Sequence, residues 1–125
     1  MTYIHYNPNP TGRYVGDCAV RAVAKALGVS WDKSYRMITE RGYQMGDMPS
    51  SDSVWGSVLK EHGFTRHTIP NLCPSCYTAE DFCREHPDGV YVLGFGNHVA
   101  TVVDGNIYDS WDSRNQIPVY YWRKR

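Results

Sequence analysis

Residues 16–28 read GDCAVRAVAKALG, a stretch that predicts a short amphipathic helix with a cysteine at its start. Apolar residues recur there at the spacing of one helix face, namely Val20, Val23, Ala24 and Leu27. Asp17 is a good N-cap residue, and Gly28 is a good C-terminal stop. Arg21 and Lys25 are expected on the opposite face, pointing away from the core.

Cys18 occupies the first turn of this predicted helix. A thiol there lies beside backbone N–H groups without helical acceptors and at the positive end of the helix dipole. Both favour the thiolate, the reactive form of cysteine, and the backbone N–H of the same residue can bind an oxyanion. The alternative is a small buried residue that happens to begin a helix. The stretch alone leaves both interpretations open.

Size and composition favour one globular domain, residues 1–125. The 13 basic and 13 acidic residues balance, so no overall field attracts nucleic acid or an acidic membrane, and neither is expected as a partner. The N-terminus does not resemble a signal peptide, and no apolar run reaches membrane-spanning length. We therefore expect a cytoplasmic location, with the four cysteines free or metal-bound rather than in disulfides. The oligomeric state stays open.

The order of the predicted elements indicates an α+β fold. After a Pro-rich loop and the Cys18 helix, a second helix is expected from Trp31 to about Arg41, ended by Gly42. A third helix precedes Gly63, an edge strand covers residues 64–69, and a capping box at Thr78 opens a helix that reaches His86. The last third of the chain then has the residue pattern of strands, which we expect at residues 90–95, 98–103, 107–111 and 119–122. Helices first and an antiparallel sheet last place the Cys18 helix against a C-terminal antiparallel sheet.

His98 is the histidine best placed to act as a base, because it begins a strong apolar strand after a glycine-rich loop. If Asp104-Gly105 is a two-residue turn, Ala100 faces Asp109, which then lies diagonal to His98 and within reach of its ring. A three-residue turn would shift the register and bring Asp112 opposite His98 instead. The alternative role for His98 is structural, with its ring hydrogen-bonded inside the sheet.

These three positions resemble the papain-like cysteine peptidases. Cys18 begins a helix, His98 is followed by Val and Ala at a strand start, and Asp109-Ser110-Trp111 lies on the next strand, in the family's order. The short chain is similar to bacterial double-glycine-cleaving peptidases and to small papain-like proteins of bacteria and phages. The resemblance covers residues 17–28 and 90–112. It implies a papain-like fold in which Cys18 is the nucleophile, His98 the base and then the acid, and Asp109 the group that orients His98.

The same resemblance implies a peptide, isopeptide or related acyl bond as substrate, in a peptide or protein, and no cofactor for catalysis. The family carries a Gln shortly before the Cys as an oxyanion donor, but no Gln precedes Cys18 here. Asn7 and Asn9 are the candidates for that role, although Asn is also common in turns. Asp17 opposes thiolate formation at Cys18 unless its charge is engaged in capping or by Arg21.

The remaining cysteines form the pattern Cys73-x2-Cys76-x6-Cys83-x2-His86. Three Cys and one His are a legitimate ligand set for a structural zinc ion, and Cys83 and His86 are helical neighbours. Cys83 can equally belong to the core face of its helix, and Cys73 with Cys76 can be a redox or an incidental pair. A structural zinc is therefore one interpretation of this segment.

The sequence favours a thiol hydrolase or acyltransferase with a Cys18–His98–Asp109 triad. Two alternatives belong to other functional classes. One is a non-catalytic papain-like protein that binds a partner, and the other is a small interaction module stabilised by zinc. The reactivity of Cys18 discriminates the first interpretation from the second, and metal analysis tests the third.

Overall fold

The computed structural model describes residues 2–70 and 76–125. The chain is α+β, as the sequence predicted, with helices preceding most of the strands. In chain order the elements are β1 (Thr2–His5), α1 (Cys18–Leu27), α2 (Trp31–Met45), α3 (Asp52–Glu61), β2 (Phe64–Thr68), α4 (Ala79–Glu85), β3 (Val90–Gly94), β4 (Val99–Val103), β5 (Asn106–Asp109) and β6 (Tyr120–Lys124).

The described strands form one mixed sheet in the order β1-β5-β4-β3-β6-β2. All neighbouring strands pair antiparallel except β1, which runs parallel to β5 from Thr2 opposite Asn106 to His5 opposite Asp109. The C-terminal strands β3–β6 pair antiparallel, as predicted, and the sheet is mixed because of β1, which was not predicted. Four residues before a Pro-rich loop carry too little periodicity to predict β1, which depends on pairing with a strand a hundred residues later. The prediction that β2 lies at an edge is confirmed.

The hairpin of β4 and β5 has the register that a two-residue turn predicts. Val102 pairs with Ile107, and Thr101 pairs with Tyr108. Asp104 and Gly105 have φ values of 49° and 78°, the left-handed pair that a tight hairpin turn requires. Because this turn fixes the register, Asp109 lies level with Ala100, which is two residues from His98 along the chain.

Helix α1 packs on the sheet through its small and β-branched residues, with Val23 completely buried. The Thr101 hydroxyl of β4 donates a 2.7 Å hydrogen bond to the Ala22 carbonyl, which ties the helix to the strand that follows His98. Arg21 was expected to face solvent, but it is buried and only 6% exposed. The carboxylates of Asp17 and Asp109 meet its guanidinium inside the protein and make that burial tolerable.

The second helix continues beyond its expected end. Ser30 caps α2 as its sequence position suggests, by accepting the backbone N–H of Lys33 at 3.1 Å. The helix passes through Gly42 and ends at Gly46, which has the left-handed φ of 68° that favours glycine at a C-cap. Gly42 instead lies close to the backbone of Asp47, where an added Cβ would come within 2.8 Å of its carbonyl oxygen.

Two apolar clusters occupy the two faces of the sheet. Along β3, Val92 packs with α1 and α3, whereas Leu93 packs with α4, as alternation across a strand requires. Helix α4 begins with the predicted capping box, in which the Thr78 and Asp81 side chains each accept from the other's backbone N–H. The Cys18 helix therefore lies on one side of the sheet and α4 on the other.

Candidate active site

Cys18 is the first residue of α1, where its backbone N–H has no acceptor within the helix. Asp17 stands at the N-cap position but makes no side-chain capping bond, contrary to expectation. Its carboxylate is instead bound by the guanidinium of Arg21 and by the indole N–H of Trp31, the latter at 2.8 Å. The negative charge next to Cys18 is thus engaged by a buried cation rather than left to oppose a thiolate.

His98 lies immediately before β4, and its ring bonds to Asp109. Nε2 of His98 is 2.6 Å from Oδ2 of Asp109, so the contact predicted from the hairpin register is present. The alternative partner, Asp112, binds the guanidinium of Arg114 at 2.8 and 2.9 Å. With Nε2 engaged by Asp109, Nδ1 is the ring nitrogen left for Cys18, with which His98 forms a further side-chain hydrogen bond.

The carboxylate of Asp109 is 1% exposed and is held from several directions. Besides His98, Oδ2 accepts the Ser113 hydroxyl at 2.7 Å, while Oδ1 accepts the backbone N–H of Ser110 at 2.7 Å. Oδ1 is also 3.4 Å from Nη2 of Arg21. A buried carboxylate with these donors has a single orientation, and it fixes the orientation of the His98 ring in turn.

Two aromatic rings enclose the His98 imidazole. Phe95 stacks nearly parallel to it at a centroid distance of 5.8 Å, and Trp111 lies on it at 4.9 Å with a tilt of 35°. The indole of Trp111 is itself 43% exposed, so it covers the histidine from the solvent side.

The pKa values of Cys18 and His98 are shifted in opposite directions. Burial opposes ionisation of the Cys18 thiol, but the hydrogen bonds from His98 and from the Val99 backbone, with the charges of His98 and Arg21, hold its pKa below the ordinary value. Burial likewise disfavours the imidazolium, yet the bonds to Asp109 and Cys18 raise the pKa of His98 to about 9. These directions favour a thiolate–imidazolium pair at neutral pH.

A cleft of about 170 Å³ opens beside the pair. Its lining comes from the start of α1, the start of α3, the loop before β4, and β6, including Cys18, Asp52, Trp55, Asn97, His98 and Tyr120. Through Gly16, Ala19 and Ser50 the cleft adjoins a larger groove of about 450 Å³ between α1 and α2. A thiol at the junction of a narrow cleft and a groove can meet one bond of an extended chain.

Neither Asn7 nor Asn9 lines the cleft at Cys18. The Asn7 amide nitrogen donates to the carbonyls of Gly12 and Arg13 at 3.4 and 3.3 Å, and the Asn9 side chain accepts from Thr11. Both amides close the loop before α1, the ordinary use of Asn in turns. The side chain in the cleft that could supply an amide donor is that of Asn97, which directly precedes His98.

The proposed zinc ligands are only partly within the described residues, because Cys73 lies outside them. Cys83 is a free thiol, 1% exposed, in the apolar cluster on the α4 side of the sheet. His86 stacks on Phe82 at 3.8 Å, and its Nδ1 is 2.8 Å from the Phe82 carbonyl. Cys76 is disulfide-bonded, which corrects the expectation of free or metal-bound thiols and is not the thiolate form that zinc binds. Within residues 2–70 and 76–125, no three His, Cys, Asp or Glu side chains are grouped to hold a metal ion. The zinc hypothesis stays a prediction.

Sequence reasoning named Arg21 as a possible partner of Asp17 but missed its contact with Asp109, and it missed Ser113. The spacing of Asp17 and Arg21, i and i+4, is the spacing of a helical ion pair and was a usable signal for one half of the Arg21 contacts. Its bond to Asp109 joins residues 88 positions apart, and no local pattern predicts it. Ser113 lies in an irregular segment after β5, where a lone serine carries no signal.

Comparison of the chain with protein-family models, with curated proteins and with solved structures finds no match. Among the helices of the described residues, none combines the length and the apolar character needed to cross a bilayer.

Proposed function

We propose that the chain is a papain-like thiol hydrolase that cleaves a peptide, isopeptide or related acyl bond through Cys18, His98 and Asp109. The observation that carries the proposal is the continuous chain of side-chain contacts from the Cys18 thiol to the His98 ring and from Nε2 of that ring to the buried Asp109 carboxylate, 2.6 Å away. The placement of a helix-start cysteine against a sheet-borne His–Asp pair supports the papain-like arrangement.

The starting state is the thiolate–imidazolium pair. The Cys18 sulfur attacks the carbonyl carbon of the substrate, and the π electrons move to the carbonyl oxygen. The intermediate collapses as His98 gives its proton to the leaving nitrogen or oxygen, so the C–N or C–O bond breaks and a thioester remains on Cys18. Neutral His98 then takes a proton from water, the hydroxide attacks the thioester, and the acid leaves as the thiolate and the imidazolium return.

The negative oxygen of the intermediate needs donors, and the backbone N–H of Cys18 at the start of α1 is the first of them. Asn97 is the side-chain candidate, because it lines the same cleft as Cys18 and precedes His98. It replaces Asn7 and Asn9, neither of which lines that cleft. Asp109 remains an acceptor throughout and keeps the His98 ring in one orientation.

The groove between α1 and α2 favours a peptide or protein substrate over a small metabolite, because it continues from the cleft at Cys18. Catalysis of this kind uses no cofactor. A cytoplasmic location and the lack of nucleic-acid or membrane partners stay predictions from the sequence.

The test uses p-nitrophenyl acetate, a small activated ester that needs no particular side-chain recognition. We expect acetylation of Cys18, detected by peptide mass spectrometry, followed by release of acetate with turnover. Cys18→Ala should lose turnover, whereas Cys83→Ala should keep it, since that thiol lies on the other side of the sheet. A peptide library then identifies the natural bond.

Two outcomes contradict the proposal. If Cys18 is not acetylated faster than Cys83, the cysteine is no nucleophile, and the non-catalytic binding protein becomes the better interpretation. If Cys18 is acetylated once and neither water nor an added amine removes the acetyl group, the site reacts but does not turn over. If the acetyl group is transferred to an added amine but not to water, the protein is an acyltransferase, which uses the same thioester chemistry.

A further inference from the structure

Arg21 is a buried cation between two carboxylates, and the mechanism above does not use it. Its Nη1 meets Oδ1 of Asp17, and its Nη2 lies 3.4 Å from Oδ1 of Asp109. All three side chains are less than a tenth exposed. Because a guanidinium has donors in a fixed planar fork, one arginine can hold two carboxylates at a defined separation.

The two oxygens of Asp109 have different partners, and Arg21 faces the oxygen that His98 does not bind. Oδ2 accepts from His98 and Ser113, whereas Oδ1 accepts from the Ser110 backbone and faces Arg21. The cation on the Oδ1 side opposes rotation of the carboxylate away from His98.

The other end of the guanidinium neutralises Asp17, the residue directly before Cys18. A carboxylate next to a thiol opposes thiolate formation, and pairing with a cation removes most of that opposition. Trp31 of α2 fixes the same carboxylate from its other oxygen at 2.8 Å. Arg21 thus binds a carboxylate next to each member of the thiolate–imidazolium pair. Asp17 precedes Cys18, and Asp109 bonds to His98.

We propose that Arg21 is a positioning residue for this site, which holds the Asp109 carboxylate behind His98 and cancels the charge of Asp17 beside Cys18. The inference rests on the proposed function and adds a residue to it. Arg21 touches no reacting atom, so it acts through Asp109 and Asp17. Two other titratable groups near this network are Tyr6, on which Arg21 acts electrostatically, and Tyr3 of β1, whose hydroxyl donates to the Asp109 carbonyl at 3.2 Å. Two more, Asp52 of α3 and Tyr120 of β6, line the cleft with Cys18.

The first test observes the His98–Asp109 bond directly and does not depend on catalysis. In a Cys18→Ala background at pH 6, the short Nε2–H bond should give a far-downfield imidazole N–H resonance. We expect Arg21→Gln to abolish that resonance or move it upfield, and Arg21→Lys to retain it in part. Lys25→Gln is the matched control, because Lys25 lies one turn along the same helix, with its ammonium over the Tyr108 and Tyr6 rings, and is in neither carboxylate's ion pairs.

The second test uses iodoacetamide labelling of Cys18 against pH in the otherwise native chain. Loss of Arg21 leaves Asp17 and Asp109 uncompensated, which raises the pKa of a neighbouring thiol. The acidic limb of the labelling profile should therefore shift to higher pH, by about 1–3 pH units. Lys25→Gln should leave the limb in place.

The outcomes separate the two claims. If wild-type Cys18 shows no acidic limb, the proposed function fails, and the N–H resonance still decides the role of Arg21. If Arg21→Gln only lowers the thermal midpoint and leaves the resonance and the limb unchanged, Arg21 is merely structural and the inference is overturned. Should Arg21→Gln fail to fold, the paired variant Asp17→Asn/Arg21→Gln removes both charges together. Persistence of the resonance in that variant overturns the inference, and its loss supports it.

Discussion

Two free thiols, Cys18 and Cys83, lie on opposite faces of the sheet and show two environments of a partly or fully buried cysteine. Cys18 begins α1 and meets His98, with Arg21 nearby, and its pKa is lowered against the effect of burial. Cys83 lies within α4 beside Phe82, and burial raises its pKa to about 11. Burial acts in the same direction on both thiols, so the difference comes from the partners.

The comparison shows what the fold adds to a cysteine at a helix start. Helix position alone gives a modest preference for the thiolate, which burial would cancel. The imidazole held by Asp109 reverses the balance, because it donates a hydrogen bond and carries the opposite charge. The lowered pKa of Cys18 therefore depends on the β4–β5 hairpin as much as on its own helix.

The largest expected effect is the contrast in alkylation of the two thiols. At pH 7, a thiol with a pKa near 11, such as Cys83, is thiolate in about one molecule in ten thousand. We expect iodoacetamide to modify Cys18 on the order of 10³-fold faster than Cys83 in the native protein. Peptide mass spectrometry over a time course measures both rates in one sample.

The same labelling in denaturant is the control, because both thiols should then react at similar rates. Equal rates in the native protein would remove the distinction between the two environments. Faster reaction at Cys83 would reverse it.

His98→Ala should remove most of the difference in alkylation rate between the two thiols, by slowing the reaction of Cys18. The variant loses the proposed general base and acid, so kcat/KM for ester hydrolysis should fall roughly 100-fold or more. In the wild type, the rate should rise as pH increases through the lowered pKa of Cys18 and fall above about 9, where His98 loses its proton. The variant should lack the descending limb. A descending limb that survives in His98→Ala belongs to another group and contradicts the assignment.

Asp109→Asn tests a smaller effect, because the amide keeps the shape of the carboxylate but not its charge. Loss of that charge should lower the pKa of His98 by about 1–3 units, and the descending limb should move toward neutral pH with it. Asp112→Asn is the control, since that carboxylate pairs with Arg114 on the surface. A limb that moves equally in both variants would indicate a general loss of negative charge rather than the His98 contact.

Local signals in the sequence were enough to predict the helix-start position of Cys18 and the His98–Asp109 contact. The Asp104-Gly105 turn determines the register of two strands, and register determines which carboxylate reaches His98. The cap and stop residues around Cys18 placed it at a helix start within one residue of the observed position. The capping box at Thr78 was equally reliable, because all its atoms lie within four residues.

The parts that sequence did not predict depend on contacts between distant residues. Arg21 looked like a solvent-facing residue because its carboxylate at β5 is 88 positions away. The strand β1 forms only against β5, and four residues do not reveal a partner at that distance. Asn7 and Asn9 were chosen by proximity in sequence to Cys18, whereas the loop folds so that their side chains bind its own backbone and Thr11.

Cys83 offers the smallest expected effect, and it concerns stability rather than chemistry. Cys83→Ser places a hydroxyl among apolar neighbours, which should cost about 1–3 kcal/mol of unfolding free energy in urea denaturation. Cys83→Ala removes the sulfur and should cost about 1 kcal/mol, because the cavity left is small. Helix α4 lies against the turn between β4 and β5, since an added Cβ at Gly105 would come within 3.2 Å of the Cys83 carbonyl oxygen. Ester hydrolysis at 25 °C should nevertheless stay within about twofold of wild type, since substitution at this distance alters the folded fraction and not the Cys18 environment. A Cys83→Ser protein that keeps its stability but loses hydrolysis would mean that α4 controls the hairpin geometry, and the two thiols would then be coupled rather than independent.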